Sequence, residues 1–194
     1  MSTRRLSPQS LFDVDAVREI GRREGLRDEQ LQAVWRASVR GGAQTLKRVD
    51  GVQEHVLDVL SRECAVATSS VTIAEPAQNG KGFKLVVRLQ DGNLVETVAI
   101  VHESRATTGL QGRITVCVSS QVGCKMGCTF CATGTMGFKA NLTAGEICEQ
   151  VWHVERRAPG FGVHWRVTNV VFMGSEWPLS SPRSFPPRGL VDVR

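Results

Sequence analysis

Hydrophobic residues recur at helical spacing through the first third of the chain. Over residues 11–64 this pattern predicts three short helices. Asp13 or Asp15 can cap the first, and a capping-box-like Asp50-x-x-Gln53 begins the third. The residues expected to face inward are Val17, Ile20, Leu31, Val34, Trp35, Val39, Val52, Val56, Leu57 and Leu60.

From residue 66 to about residue 100 the period changes to two, which is typical of β-strands. The turn signals Asn79-Gly80 and Asp91-Gly92 separate the runs, so we predict a small antiparallel meander. Glu96 falls among apolar residues in the last run. The alternation alone favours an exposed strand position for Glu96, and the alternative is an acid directed into a cleft.

A polar connection over residues 101–112 leads to a predicted strand at 113–119, which runs directly into a cysteine-rich loop. Thr143 and Glu146 form a capping box that opens a helix. Residues 167–173 then predict a buried parallel strand that closes a β-loop-α-β unit. The apolar residues that this helix is expected to bury are Ile147, Cys148, Val151, Trp152 and Val154.

Composition says more about the cellular compartment of the protein than about its function. The chain has 194 residues, a formal net charge of +5 and six cysteines. No apolar run approaches a membrane span and no signal-peptide core is seen, so we expect a cytoplasmic monomer with reduced thiols, or an organellar protein if the source is eukaryotic. The excess of positive charge is compatible with an RNA partner without requiring one.

Three cysteines carry the strongest chemical signal. Cys124, Cys128 and Cys131 are spaced C-x3-C-x2-C, so one loop can direct three thiolates to a common centre. Three protein ligands suit a 4Fe–4S cluster with one iron left open to a small molecule. A disulfide with an odd thiol is one alternative, and a structural zinc site is another. The zinc site would need a fourth ligand from Cys117, Cys148 or His153.

Around the cysteines, the stretch from Val116 through Phe138 includes Cys-Val-Ser-Ser-Gln-Val-Gly directly before Cys124. Together with Val-Val-Phe-Met-Gly ending at Gly174, it closely resembles the RlmN/Cfr family of radical S-adenosylmethionine (SAM) RNA methyltransferases. The resemblance extends from about residue 11 to Gly174.

The resemblance implies an α/β fold, in which the amino-terminal modules precede an incomplete, partial TIM-like radical SAM β/α barrel. Residues 1–64 would form a small helical accessory module of an RNA-binding kind, and residues 65–112 the β meander and its connection. Residues 113–174 would begin the radical SAM core. Residues 175–194, which are low in complexity, would be a disordered tail outside the family pattern.

The resemblance also implies methylation of carbon 2 of an adenine in ribosomal RNA and, in many members, transfer RNA. The cofactors would be a 4Fe–4S cluster and two molecules of SAM, with an electron donor such as flavodoxin or ferredoxin. Cys117 matches the resolving cysteine. Glu96 matches the proton acceptor, so the resemblance favours an acid directed into a cleft over a merely exposed strand position. The other matches are the cluster ligands Cys124, Cys128 and Cys131, and the SAM-binding positions Phe130 and Gly174.

The chain departs from the family after Gly174, where Ser175-Glu176-Trp177 stands in place of the expected Gly-Glu pair. The methyl-accepting cysteine and the later strands of the family have no match. We therefore expect a truncated form that does not complete turnover alone. One hypothesis is that the tail is translated intron, because Ser-Glu-Trp can be encoded by a splice-donor sequence; sequencing cDNA across the Gly174 codon tests it.

Two rival functions stay open from the residues alone. One is an RNA-binding fragment that holds zinc or an iron–sulfur cluster without catalysis. The other is a different radical SAM enzyme with the same cluster loop. Glu96 and Cys117 argue against the latter, since neither belongs to the general cluster motif.

Overall fold

A computed structural model describes residues 6–40, 45–46, 49, 51–78, 80–103, 112–125 and 136–172. The described residues divide into two compact units. The helical unit comprises residues 6–68 and 143–149, and the sheet unit comprises residues 69–142 and 150–172. The domain boundaries predicted from the sequence stay a prediction.

Three helices and one short pair of strands build the helical unit. The elements are α1 (Val14–Arg23), α2 (Asp28–Arg40), α3 (Glu54–Glu63), β1 (Gln9–Ser10) and β2 (Cys64–Ala65). The strands β1 and β2 pair in parallel, an element that helical periodicity did not predict. The three predicted helices are confirmed.

The caps of these helices show one prediction confirmed and one wrong. Asp13 caps α1, and its side chain accepts a hydrogen bond from the N–H of Ala16. Helix α3, however, begins three residues later than the predicted capping box, with Gln53 at its N-cap and no side-chain cap bond. The cause is Gly51, whose φ of +77° forms a turn that cannot belong to a right-handed helix. Val52 is consequently half-exposed instead of buried.

A five-stranded mixed sheet forms the centre of the sheet unit. Its strands are β3 (Ser70–Pro76), β4 (Gly82–Arg88), β5 (Leu94–His102), β6 (Arg113–Val118) and β9 (Val167–Phe172). They lie in the order β3-β4-β5-β6-β9, with antiparallel pairing up to β6 and parallel pairing between β6 and β9. The meander and the parallel strand are confirmed. The burial predicted for the last strand is wrong: only Val167 of β9 is buried, because β9 is at the edge of the described sheet.

Helix α4 (Ala144–Arg157) connects β6 to β9 within the chain. Its predicted capping box is present, since Thr143 N–H donates to Glu146 Oε2 at 2.9 Å and Glu146 N–H donates to Thr143 Oγ1 at 3.2 Å. The predicted buried stripe is partly wrong. Ile147 and Val154 are buried, and the remaining three apolar positions, Cys148, Val151 and Trp152, are half-exposed.

Polar residues occupy the rest of the buried side of α4. Glu149, Gln150 and His153 are at most 7% exposed. Glu149 accepts hydrogen bonds from the N–H and hydroxyl of Thr68 at 2.9 and 3.0 Å, so its burial is compensated. No helix in the described part of the chain is both long and apolar enough to span a bilayer.

Candidate functional site

Alternation along the strands gives the sheet two unlike faces. The closed face consists of Phe83, Leu85, Thr97, Ala99 and Val116, all of which are at most 1% exposed. Facing the other way is the open face, which consists of Lys84, Val86, Glu96, Val98 and Cys117, all half-exposed or exposed. Since cross-strand partners share a face, the register fixes this division.

Glu96 and Cys117 lie on the open face as diagonal neighbours. Cys117 of β6 is directly opposite Val98 of β5, and Glu96 is two residues before Val98. Diagonal neighbours across an antiparallel pair have Cα atoms roughly 7–8 Å apart, within reach of long side chains. The sheet register thus brings the predicted proton acceptor and the predicted resolving cysteine onto the same surface.

The electrostatics around Glu96 are mild. Its Oε2 lies 3.4 Å from Lys84 Nζ, and the two side chains are 56% and 41% exposed. An ion pair this open to water contributes little to stability, roughly 0–1 kcal/mol. The carboxylate is therefore accessible to solvent.

The end of β6 is held from the closed side by Gln150. Gln150 Oε1 accepts a hydrogen bond from the Ser119 N–H, and Gln150 Nε2 donates to the Ser119 carbonyl, both at 2.8 Å. The Thr97 hydroxyl also donates to Gln150 Oε1 at 2.8 Å. Ser119 Oγ in turn donates to the Glu96 carbonyl at 2.7 Å. These bonds link the strand end to the backbone beside the acid.

The cysteine loop is closed at its base by a backbone clasp. The short strands β7 (Gln121–Val122) and β8 (Ala140–Asn141) pair antiparallel, and the Lys139 N–H donates to the Val122 carbonyl at 2.9 Å. Gly123 has a φ of +71°, and a Cβ there would overlap the carbonyl of Gly137. Only glycine fits this approach. The clasp therefore brings the two ends of the loop together directly before Cys124.

Cys124 is 7% exposed at this clasp. Beside it, Lys125 Nζ lies 4.4 Å from the ring centroid of Phe138, a cation–π contact that bridges the two ends of the loop. The other motif positions, Cys128, Phe130, Cys131 and Gly174, lie outside the described residues. Within the described ranges no group of three His, Cys, Asp or Glu side chains could hold a metal ion.

One observation is compatible with an iron–sulfur cluster held by this loop. The glycine clasp brings the two ends of the loop together where the cysteine motif starts. Two of the alternative zinc ligands have other surroundings. Desolvation raises the pKa of the half-exposed Cys148 thiol to about 12 in the metal-free chain. His153 Nε2 is already 3.0 Å from Ser69 Oγ.

The sequence reasoning did not find Gln150, Ser119 or Thr97. One signal was available for Gln150, which falls three residues after Ile147 and four before Val154, on the stripe that α4 buries. A polar residue at such a position needs a partner, which indicates a specific contact. Nothing local in the sequence names that partner, because Ser119 is 31 residues away.

No family model matches the chain. The comparisons with individual proteins and with solved structures agree with each other. The dual-specificity RNA methyltransferase RlmN 1 of Myxococcus xanthus is 38% identical over 146 residues, which is 75% of this chain and 38% of that protein. The ribosomal RNA large subunit methyltransferase N of Nitrosopumilus maritimus is 46% identical over 105 residues, covering 54% of this chain and 29% of that protein.

A solved structure gives the same result for the fold. The crystal structure of a radical SAM methyltransferase from Sphaerobacter thermophilus matches with a TM-score of 0.72 and 31% identity, covering 87% of this chain and 48% of that one. The chain spans about a third of the length of the curated relatives that it matches.

Proposed function

We propose that this chain, which belongs to the RlmN/Cfr family of radical SAM RNA methyltransferases, is part of an enzyme that methylates carbon 2 of adenine in RNA. The part it carries binds the cluster and accepts the proton. The observation that carries the proposal is the placement of Glu96 and Cys117 on the open face, with the cysteine loop following β6. Since the chain spans about a third of its relatives, the complete reaction is proposed for the whole protein.

In this proposal Cys124, Cys128 and Cys131 would hold a 4Fe–4S cluster, and Phe130 and Gly174 would contribute to binding SAM. When bound, the cluster and SAM supply the radical chemistry that an unactivated ring carbon requires. An electron donor of the flavodoxin or ferredoxin kind would reduce the cluster. The contribution of the chain itself is to hold the ligand loop at the clasp of Gly123 and Gly137, beside the open face.

The roles proposed for the two open-face residues are those that the family resemblance implies. Glu96 accepts the proton that leaves carbon 2 of the adenine after the new carbon–carbon bond has formed. The Cys117 thiolate attacks the sulfur that links RNA and protein. A disulfide forms, the bond from that sulfur to the methylene carbon breaks, and the methylene carbon keeps the electron pair and takes up a proton to become the methyl group. Both groups must reach the same adenine, and a shared sheet face supports this.

Strands β6 and β9 are proposed to be the first two strands of a β/α barrel whose interior lies on the side of the open face. The support is the parallel pairing of β6 with β9 and the delivery of the cysteine loop from the carboxyl end of β6. Active sites of such barrels lie at the carboxyl ends of the strands. Ribosomal RNA is the proposed substrate, with transfer RNA as a second one, and the net charge of +5 is compatible with both.

Anaerobic reconstitution of the chain with iron and sulfide tests the proposal. We expect about four iron and four sulfide per chain, an electron paramagnetic resonance (EPR) spectrum that changes when SAM is added, and release of 5′-deoxyadenosine after reduction. The variant Cys124→Ala should lose all three. Cys64→Ala is the matched control, because Cys64 is a buried cysteine outside the motif.

Zinc without sulfide in the purified chain would contradict the proposal and support the RNA-binding fragment instead. Iron and sulfide that survive in Cys124→Ala would place the cluster elsewhere. A cluster whose spectrum does not respond to SAM would refute the radical SAM chemistry while leaving the metal site intact.

A further inference from the structure

The side-chain amide of Gln150 is fully buried, and both of its ends are bonded to the backbone of a single residue, Ser119. Its oxygen accepts from the Ser119 N–H and its nitrogen donates to the Ser119 carbonyl, at 2.8 Å each. The orientation of the amide is fixed by these bonds, because a backbone N–H can only donate and a carbonyl can only accept. Gln150 thus gives Ser119, the first residue after β6, the pair of bonds that a neighbouring strand would give it.

Ser119 connects this amide to both functional regions. On one side its hydroxyl donates to the Glu96 carbonyl at 2.7 Å, and the next residue, Thr97, donates its own hydroxyl to Gln150 at 2.8 Å. On the other side Ser119 stands two residues after Cys117 and five before Cys124. The position of Ser119 therefore determines both where the backbone of the acid lies and where the cysteine loop leaves the sheet.

We propose that Gln150 is a positioning residue of the methyltransferase site, which holds Ser119 so that the cysteine loop and the Glu96–Cys117 pair keep one fixed geometry. The inference rests on the proposed function and deepens it, since Gln150 belongs neither to the cluster motif nor to the acid–thiol pair. Gln150 acts through Ser119, to which both ends of its amide are bonded.

Only an amide of this length satisfies all three partners. A glutamate at position 150 can still accept the hydrogen bonds from the Ser119 N–H and the Thr97 hydroxyl. Its second oxygen, however, carries no hydrogen when ionised and so cannot donate to the Ser119 carbonyl. A methionine of similar length removes these three bonds, so the Ser119 N–H, the Ser119 carbonyl and the Thr97 hydroxyl lose this partner. The loss of hydrogen bonds should therefore be graded from wild type through Gln150→Glu to Gln150→Met.

The experiment uses the full chain with Gln150→Glu, Gln150→Met and the control Val154→Ala. Val154 is fully buried one turn further along the same helix and bonds to nothing through its side chain, so its truncation lowers stability without touching Ser119. Each protein is measured for thermal midpoint, amide hydrogen exchange of the peptide containing Ser119, iron and sulfide content at limiting iron, and the EPR spectrum with SAM.

We expect Gln150→Met and Val154→Ala to lower the thermal midpoint, while only the Gln150 variants change the site. Exchange at Ser119 should be at least about tenfold faster in Gln150→Met. Iron affinity should fall by about tenfold or more, as for residues that orient metal ligands, and the EPR spectrum with SAM should differ from wild type. Gln150→Glu should lie between wild type and Gln150→Met in each readout.

Iron loading that follows the thermal midpoint alike in Val154→Ala and the Gln150 variants would overturn the inference, because Gln150 would then be only structural. Unchanged exchange at Ser119 would overturn it as well. If Gln150→Met does not fold, Gln150→Glu decides by the same readouts. A wild-type chain that takes up no iron and sulfide would refute the proposed function and this inference together, whereas normal loading in every variant would refute the inference alone.

Discussion

The two faces of the central sheet use the same strands for opposite purposes. On the closed face every side chain named above is essentially inaccessible to water, and Phe161 stacks on Phe83 with ring centroids 4.4 Å apart. On the open face, one residue out of phase, stand an exposed carboxylate, an ammonium group and a half-exposed thiol. A shift of one position along a strand thus separates residues that stabilise the sheet from residues available for chemistry.

This separation predicts that stability and reactivity can be changed independently. Substitutions on the closed face should alter the free energy of unfolding. Those on the open face should alter the proposed reaction while the sheet stays folded.

The largest difference is expected between two positions on opposite faces of β4. Phe83→Ala removes a fully buried ring and should lower the free energy of unfolding by about 3–5 kcal/mol. Val86→Ala, on the open face, should lower it by about 1 kcal/mol or less, since Val86 is only half-buried. Denaturant unfolding measures both, and equal losses would mean that the open face is covered in the folded protein.

The next largest effect is expected from acid, which should lower the free energy of unfolding through the buried His153. Burial, with the nearby charge of Arg157, lowers the pKa of His153 from 6.5 to about 4. Because the unfolded chain then binds the proton more readily, stability falls as the pH drops from about 6.5 to about 4 and changes no further below that. The difference amounts to about 3 kcal/mol. Unfolding measured against pH should show this slope in wild type and a shallower one in His153→Gln; identical slopes would contradict it.

The glycine clasp offers a matched pair of intermediate size. Gly123 and Gly137 both have positive φ, but only a Cβ at Gly123 would meet another backbone group. Gly137→Ala should therefore lower the free energy of unfolding by about 1 kcal/mol, the cost of the left-handed conformation. Gly123→Ala should lower it by about 2–3 kcal/mol because overlap is added, and should take up less iron. Equal effects would show that the clasp is looser than described.

The smallest effect is expected for the ion pair on the open face. A double-mutant cycle of Lys84→Met and Glu96→Gln should give a coupling below about 0.5 kcal/mol, since both side chains are largely in water. A coupling well above 1 kcal/mol would show that Glu96 is shielded, and so less accessible than its proposed role requires.

Much of this architecture could be predicted from periodicity and turn signals. The meander, the parallel strand and the capping box of α4 are local or repeating patterns, so short stretches of sequence specify them. The start of α3 was misplaced because Asp50-x-x-Gln53 matches a capping box, while the backbone of Gly51 prevents a helix from starting there. Here the conformation of a single residue outweighed a side-chain motif.

The buried side of α4 was the harder problem. Hydrophobicity placed Val151 and Trp152 inside, yet Glu149 and Gln150 are buried in their stead. Their burial is compensated by Thr68 in one case and by Ser119 and Thr97 in the other. Such partners are distant in sequence, so one chain without its fold cannot disclose them. The pairing of Glu96 with Cys117 likewise depends on strand register, which the order of residues leaves open.

The meeting of Gly123 with Gly137 has an evolutionary consequence. Closing a flexible loop has an entropic cost, and this cost rises by only about 0.6 kcal/mol when the length of the loop doubles. A change of length between the C-x3-C-x2-C motif and Gly137 is therefore expected to cost little, since the clasp itself is formed by residues outside that stretch. Related proteins can therefore vary the loop between the motif and Gly137 while the surrounding strands stay the same.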